Sequence, residues 1–124
     1  MGDTELQTLA ISDSKPVEIR PPEENKDLLA LQKIITTLEE NNIKVILFTT
    51  PQHKYFYDLV ESSEKIVFDQ ILTHIHENYG IMAYSFTDKY SDLEIWRNPT
   101  HIVVSDSASI FSEDIAKMIL EELP

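Results

Sequence analysis

Residues 43–48 read Ile-Lys-Val-Ile-Leu-Phe, and this stretch decides the fold class that the sequence predicts. Its run of aliphatic residues lacks the alternation of a half-exposed strand, so we expect a strand buried on both faces. Asn41 and Asn42 come just before it, and Asn tolerates the left-handed conformation that ends many helices. A helix, a short turn and a buried strand are typical of an α/β unit with a parallel sheet. In such sheets ligands bind beyond the carboxyl ends of the strands, here at residues 49–53.

The composition of the 124 residues describes one ordinary globular domain, with 42% hydrophobic and 26% charged residues. The chain has no cysteine, which excludes disulfides, thiolate zinc sites and cysteine nucleophiles. The net charge of −12 and the lack of a Lys/Arg cluster argue against nucleic-acid binding. No apolar run is long enough to span a bilayer, and the first residues do not resemble a signal peptide. We therefore expect a soluble, cytoplasmic protein without a membrane partner.

Three amphipathic segments predict helices at residues 26–41, 63–79 and 106–122. Asn25 is placed to cap the first of them, and Gly80 to end the second. A second strand is predicted at residues 81–86. The fold class that this order predicts is α/β, with three layers: a small, mostly parallel, flavodoxin-like sheet flanked by helices.

The sequence pattern allows more than one structure at the edges of this predicted sheet. Residues 1–24 carry three prolines and predict either a flexible arm or an edge strand, with extended pieces at 9–11 and 17–19. Residues 25–124 are predicted to form the α/β domain. So thin a sheet predicts either an exposed edge that pairs with a second copy of the chain, or one half of a larger unit.

The sequence contains four histidines. His74 and His76 lie two apart on a predicted helix and point in nearly opposite directions, so they do not predict a metal site. His53 follows the first strand and His101 lies in the long loop, residues 87–105, after the second. Both are expected at the same edge of a parallel sheet. The alternatives are that His53 is a solvated loop residue and that His101 only caps or packs against the last helix.

The run Trp96-Arg97-Asn98-Pro99-Thr100-His101-Ile102 resembles the last block of the SGNH (GDSL-like) hydrolase and acyltransferase superfamily. The resemblance implies an α/β fold over residues 25–122, a small ester or acyl substrate and no cofactor or metal. It implies that His101 is the general base that activates a serine and that Asn98 takes the orienting position. We then expect the same edge of the sheet to be lined by Thr50, Gln52 and His53.

The chain departs from that family in its other blocks. The orienting residue is an Asp in the family and Asn98 here, and an amide does not stabilise an imidazolium. The family's Gly-Asp-Ser block has its nearest counterpart in Ile11-Ser12-Asp13-Ser14, which makes Ser14 the candidate nucleophile. The residues that follow Ser14 are Lys15-Pro16, and they do not predict the strand-to-helix turn that carries this serine in the family.

Three interpretations therefore stay open. The chain is a hydrolase module whose nucleophile lies elsewhere, or a relative that kept the scaffold and lost catalysis. The rival is a non-catalytic domain that self-associates through a sheet edge or through the aromatic run Tyr55–Tyr57.

Overall fold

The computed structural model describes residues 2–13 and 18–124, which form a mixture of helices and short strands. The helices and strands, in chain order, are α1 (Asp3–Asp13), α2 (Lys26–Glu40), β1 (Leu47–Thr49), α3 (Lys54–Tyr57), α4 (Ser62–Tyr79), β2 (Ala83–Ser85), β3 (Trp96–Asn98), β4 (His101–Ile102) and α5 (Ser109–Glu122). Short 3₁₀ helices precede α2 and α5, at Pro22–Glu24 and Asp106–Ala108. Within the described ranges, no helix combines the length and the apolar character needed to cross a membrane.

The described residues group into two compact units. The first contains residues 2–13, 48–60 and 84–124, and the second contains residues 18–47 and 61–83. Each unit has its own buried side chains, so each is described by itself.

Helices α2 and α4 build the second unit. Its core is formed by one face of each helix and by a residue between α4 and β2: Leu28, Ile35, Ile71, Ile75 and Ile81. Asn25 Oδ1 accepts a hydrogen bond from the Leu28 amide (2.9 Å), which satisfies a donor that the first helical turn leaves unpaired. Gly80 ends α4 with a φ of +67°, and Asn42 takes a φ of +58° after α2. The predicted helices over 26–41 and 63–79 are confirmed, together with their caps.

The first unit is built around aromatic side chains between β2 and α5. Phe86 stacks on Tyr90 with ring centroids 6.3 Å apart, and Phe111 packs edge-on against both rings. The Trp96 indole Nε1–H donates to the Tyr90 carbonyl at 3.2 Å. A buried aromatic with a satisfied polar atom is a stable anchor, and this bond ties the first residue of β3 to the segment after β2. The predicted loop over 87–105 contains a hairpin.

The N-terminal segment is a helix where a loose arm or an edge strand was expected. In α1, Leu6 and Ala10 are 4% and 0% exposed, and the helix contacts α3 and β3. These two apolar residues lie four apart and therefore share one helical face. The prediction of an extended segment at residues 9–11 is wrong, because these residues lie in α1. The predicted hairpin around Ser12–Pro16 falls largely outside the described residues, and a separate domain over 25–124 stays a prediction.

The strand predicted at 43–48 is shorter and more exposed than expected. Only Leu47 and Phe48 of that stretch lie in β1, and Ile43 and Phe48 are 51% and 44% exposed. The prediction that this strand is buried on both faces is wrong. In the described structure, β1 pairs with β2 alone and no wider sheet surrounds it. Strands β3 and β4 form a second, antiparallel pair. The mixed helix and strand content agrees with the predicted α/β class.

Candidate functional site

A tight hairpin carries the two residues of the candidate site. Strands β3 and β4 pair so that Trp96 lies opposite Ile102 and Asn98 lies opposite His101. Pro99 and Thr100 make the turn, where proline pre-sets the backbone angle that the first turn position needs. The Asn98 side-chain oxygen accepts a hydrogen bond from the Thr100 amide at 3.0 Å, which closes an Asx turn. The order Asn-Pro-Thr-His thus makes the turn that brings Asn98 and His101 together.

The His101 imidazole is oriented by Asn98. His101 Nδ1 lies 2.9 Å from Asn98 Oδ1, and an amide oxygen only accepts, so Nδ1 carries the proton and donates it. The Thr100 hydroxyl also donates to Asn98 Oδ1, at 3.2 Å. This tautomer leaves the lone pair on Nε2, which makes Nε2 the nitrogen that can accept a proton. The histidine is exposed, so a substrate group could reach it.

An open cleft of about 530 Å³ lies beside His101. Thr50 and Pro51, from the loop after β1, line it together with Thr100 and His101. The start of α5 and the segment before it complete the wall, which includes one carboxylate: Ile102, Val103, Val104, Ser105, Asp106, Ala108, Ser109, Phe111 and Ser112. The structure therefore brings Thr50 and His101 into one cavity with a largely apolar wall.

Thr49 fixes the loop that carries Thr50. Its hydroxyl oxygen accepts hydrogen bonds from the Phe86 amide (3.0 Å) and from the Thr87 hydroxyl (2.8 Å). The Gln52 amide donates to the Thr87 carbonyl at 2.8 Å, so Gln52 is held through its backbone. The sequence places Thr49 in the expected ligand-binding loop, residues 49–53, but does not predict its role. A hydroxyl at a strand end carries no pattern that would have marked it.

His53 lies in a different environment from His101. Its Nδ1 accepts a hydrogen bond from the Tyr55 amide (3.3 Å), which caps α3, and its own amide donates to the Pro99 carbonyl at 2.8 Å. The side chain is 4% exposed, and it lines a separate cavity with Trp96. Burial lowers the pKa of His53 below its ordinary value, and the neighbouring Lys54 charge lowers it further. His53 is therefore a buried, neutral capping residue.

The nucleophile predicted from the sequence, Ser14, lies outside the described residues. Over residues 2–13 and 18–124, His101 makes no hydrogen bond to a serine. In the same ranges, no group of three or more His, Asp or Glu side chains is arranged to hold a metal ion. The chemistry that the described residues offer is proton transfer at His101.

Comparisons with protein-family models, with curated proteins and with solved structures find no match to this chain. The candidate site therefore rests on the geometry around His101.

Proposed function

We propose that the chain is an SGNH-like α/β module that supplies the general base for ester hydrolysis or acyl transfer. The observation that carries this proposal is the 2.9 Å hydrogen bond between His101 Nδ1 and Asn98 Oδ1. It holds the imidazole in the tautomer whose Nε2 accepts a proton, which is what activation of a serine requires. Ser14 or a serine outside this chain is the nucleophile.

The proposed reaction has two balanced steps. The serine Oγ attacks the ester carbonyl carbon while its proton passes to His101 Nε2. That proton then moves to the leaving alcohol oxygen as its bond to the carbonyl carbon breaks, which leaves an acyl-serine. Water, or a second alcohol in acyl transfer, repeats the same steps and releases the acyl group. Because Asn98 is neutral, it orients His101 without stabilising the imidazolium, and we expect slow turnover.

The cleft beside His101 supports a small acyl substrate. Pro51, Val103 and Phe111 give it apolar walls, and Thr50 adds a hydroxyl close to the end of β1. The hydrogen bonds of Thr49 keep this loop in place without a ligand. Gln52 and His53 are not part of the cleft in this proposal. Their backbone amides donate hydrogen bonds to the Thr87 and Pro99 carbonyls, which hold the loop that carries Thr50.

The proposal includes the finer fold prediction, a three-layer flavodoxin-like arrangement. Its support is that α2, β1, α4, β2 and α5 follow one another in this order, with α3 and the β3–β4 hairpin between them, and that doubly wound folds alternate helices and strands. The described β1–β2 sheet has two strands, so the proposed sheet needs further strands from another chain.

A second candidate function is self-association without catalysis. The observation in its favour is that β1 and β2 pair only with each other in the described structure and that Phe48 is 44% exposed. An open edge with an exposed aromatic residue is a surface that a second copy can extend. The aromatic run Tyr55–Tyr57 is half-buried and offers less contact area.

Hydrolysis of p-nitrophenyl acetate tests the catalytic proposal. We expect saturable hydrolysis by the whole chain, a rate at least about tenfold lower in His101→Ala, and a faster rate in Asn98→Asp. His76→Ala is the matched control, since His76 is an exposed histidine on α4. Equal rates for the two alanine variants would contradict the proposal.

A fluorophosphonate probe then locates the nucleophile. Labelling of Ser14 that disappears in Ser14→Ala would assign it to this chain. Hydrolysis by the chain alone without labelling would contradict a serine mechanism, because no other chain is present to supply the serine. A concentration-dependent dimer by light scattering, combined with no hydrolysis, would favour self-association.

A further inference from the structure

A second cavity, of about 580 Å³, lies in the first unit and does not include Asn98 or His101. Residues from the start of α1, from the start of α3 and from the segment before β3 line it. Four of its lining residues are buried: Leu6, His53, Ser91 and Trp96. The cavity is therefore a built feature of this unit with a polar buried wall, and the proposed acyl site makes no use of it.

His53 presents a hydrogen-bond donor to this cavity. Because Nδ1 accepts from the Tyr55 amide, the neutral imidazole carries its proton on Nε2. Nε2 makes no hydrogen bond to any described residue. Among the described residues, no enclosed side-chain nitrogen or oxygen lacks a partner, so Nε2 must open onto accessible space. His53 lines the cavity, and we infer that the Nε2–H group faces it.

Acidic side chains surround the same space. Asp3, Asp92 and Glu94 line the cavity, and Lys54 is the one basic lining residue in the described structure. Lys54 Nζ lies 3.4 Å from Asp92 Oδ1 and offsets one of the three carboxylates. Three negative charges against one positive charge leave a net charge of −2 on the lining. Such a surface attracts a cation.

We propose that this cavity binds a small organic ammonium ion that carries a neighbouring carbonyl oxygen, such as the amine end of an amino-acid amide or ester. The ammonium group lies among Asp3, Asp92 and Glu94, and the carbonyl oxygen accepts the hydrogen bond from His53 Nε2. Each charged or polar group of the wall then has a partner of the opposite kind. A bare metal ion fits less well, because the described side chains do not form a set of three ligands.

Trp96 gives a direct measurement of this binding. It is the one tryptophan of the sequence and it lines the cavity. Titration of the whole chain with glycinamide is expected to change the Trp96 fluorescence in a saturable way. Methylammonium has only the cation and acetamide only the carbonyl, so we expect both to bind about fivefold or more weakly than glycinamide.

Two variants test the roles of the wall. Glu94→Gln removes one carboxylate and is expected to weaken glycinamide binding about two- to fivefold. Glu113→Gln removes the same charge from an exposed position of α5 and should leave the binding unchanged. His53→Asn can still cap α3 through its side-chain oxygen, and it should remove the preference for glycinamide over methylammonium. Its far-ultraviolet circular dichroism is compared with that of the parent chain.

The proposal is overturned by any of three results: no saturable change in Trp96 fluorescence, equal affinity for glycinamide and methylammonium, or equal weakening by Glu94→Gln and Glu113→Gln. None of these results depends on esterase activity at His101. Failure of this proposal and failure of the catalytic one are therefore distinguishable.

Discussion

The Tyr90 hydroxyl donates a 2.6 Å hydrogen bond to Asp114 Oδ2 and thereby joins the segment after β2 to α5. Lys89 Nζ lies 3.0 Å from the same oxygen, and Lys117 Nζ lies 3.7 Å from Oδ1. Tyr90 is buried, and its carbonyl accepts the bond from the Trp96 indole. The pair therefore connects α5, the segment after β2 and the first residue of the hairpin that carries His101.

Asp114→Asn is expected to lower the free energy of unfolding at pH 7 by about 2 kcal/mol, because it removes a charged acceptor from a partly buried cluster. The hydrogen bond from Tyr90, followed by that from Lys89, holds the pKa of Asp114 below its ordinary value of 3.8. Its stabilising effect is thus present above about pH 4 and is lost as the pH falls through the lowered pKa.

Urea unfolding followed by circular dichroism at pH 7 and at pH 3 measures both effects. Glu113→Gln, one residue away and exposed, is the control. If Asp114→Asn and Glu113→Gln lower the free energy of unfolding at pH 7 by the same amount, the Tyr90–Asp114 hydrogen bond does not stabilise the fold.

Tyr90 makes the first unit sensitive to alkaline pH. Burial raises the pKa of Tyr90 well above its ordinary value of 10.0, and the hydrogen bond and charge of Asp114 raise it further. The folded state favours the neutral phenol, so its contribution is complete below pH 10 and declines as the pH rises above 10. Tyr90→Phe should flatten the dependence of the unfolding free energy on pH between 9 and 11. Tyr79→Phe, in the second unit, is the control, and an equal flattening in both variants would contradict the role of Tyr90.

His53 gives an opposite dependence near neutral pH. Because burial and then Lys54 lower its pKa from 6.5, the folded state favours the neutral imidazole. The contribution is complete above pH 6.5, decreases as the pH falls below 6.5, and levels off below the lowered pKa. His53→Asn is expected to lose less stability between pH 7.5 and 5 than the parent chain. His76→Asn, on the exposed face of α4, serves as the control. If His53→Asn and His76→Asn lose the same stability between pH 7.5 and 5, His53 is not the group that causes the acid dependence.

Gly80 is required by its backbone angle and not by crowding. Its φ is +67°, and a Cβ placed there would meet no atom within 4 Å. Gly80→Ala should therefore cost about 1 kcal/mol from backbone strain alone, and Gly80→Asn less, since Asn tolerates this region. Gly2→Ala, where φ is not positive, should be close to neutral in the same urea measurement. A Gly80→Ala variant as stable as the parent would refute this explanation.

The helices could be predicted from the sequence because local spacing determines them. Leu28 and Ile35 in α2, and Ile71 and Ile75 in α4, repeat at helical intervals and are buried. Residues 106–108 were predicted as the start of the last helix and form a 3₁₀ turn before α5. Helix α1 was missed because two buried residues, Leu6 and Ala10, give too short a pattern among polar neighbours. Their burial comes from contacts with α3 and β3, which are distant in sequence.

The candidate site could be predicted in part for the same reason. Asn98 and His101 lie three residues apart across a proline turn, so their contact is local and can be read from the sequence. That Thr50 lies in the same cleft as His101 follows from how the first unit packs. His53 was expected beside them, yet its side chain turns into the Trp96 cavity while its backbone bonds to Pro99. Which side a loop residue faces depends on long-range packing that no spacing encodes.

The division into two units has a consequence for any dissection of the gene. The second unit is made of residues 18–47 and 61–83, and residues 48–60 between them belong to the first. Truncation from either terminus therefore cannot release one complete unit free of segments of the other. A minimal version of the second unit requires an internal deletion that splices residue 47 to residue 61, and the short linker at that splice decides whether α2 and α4 still meet.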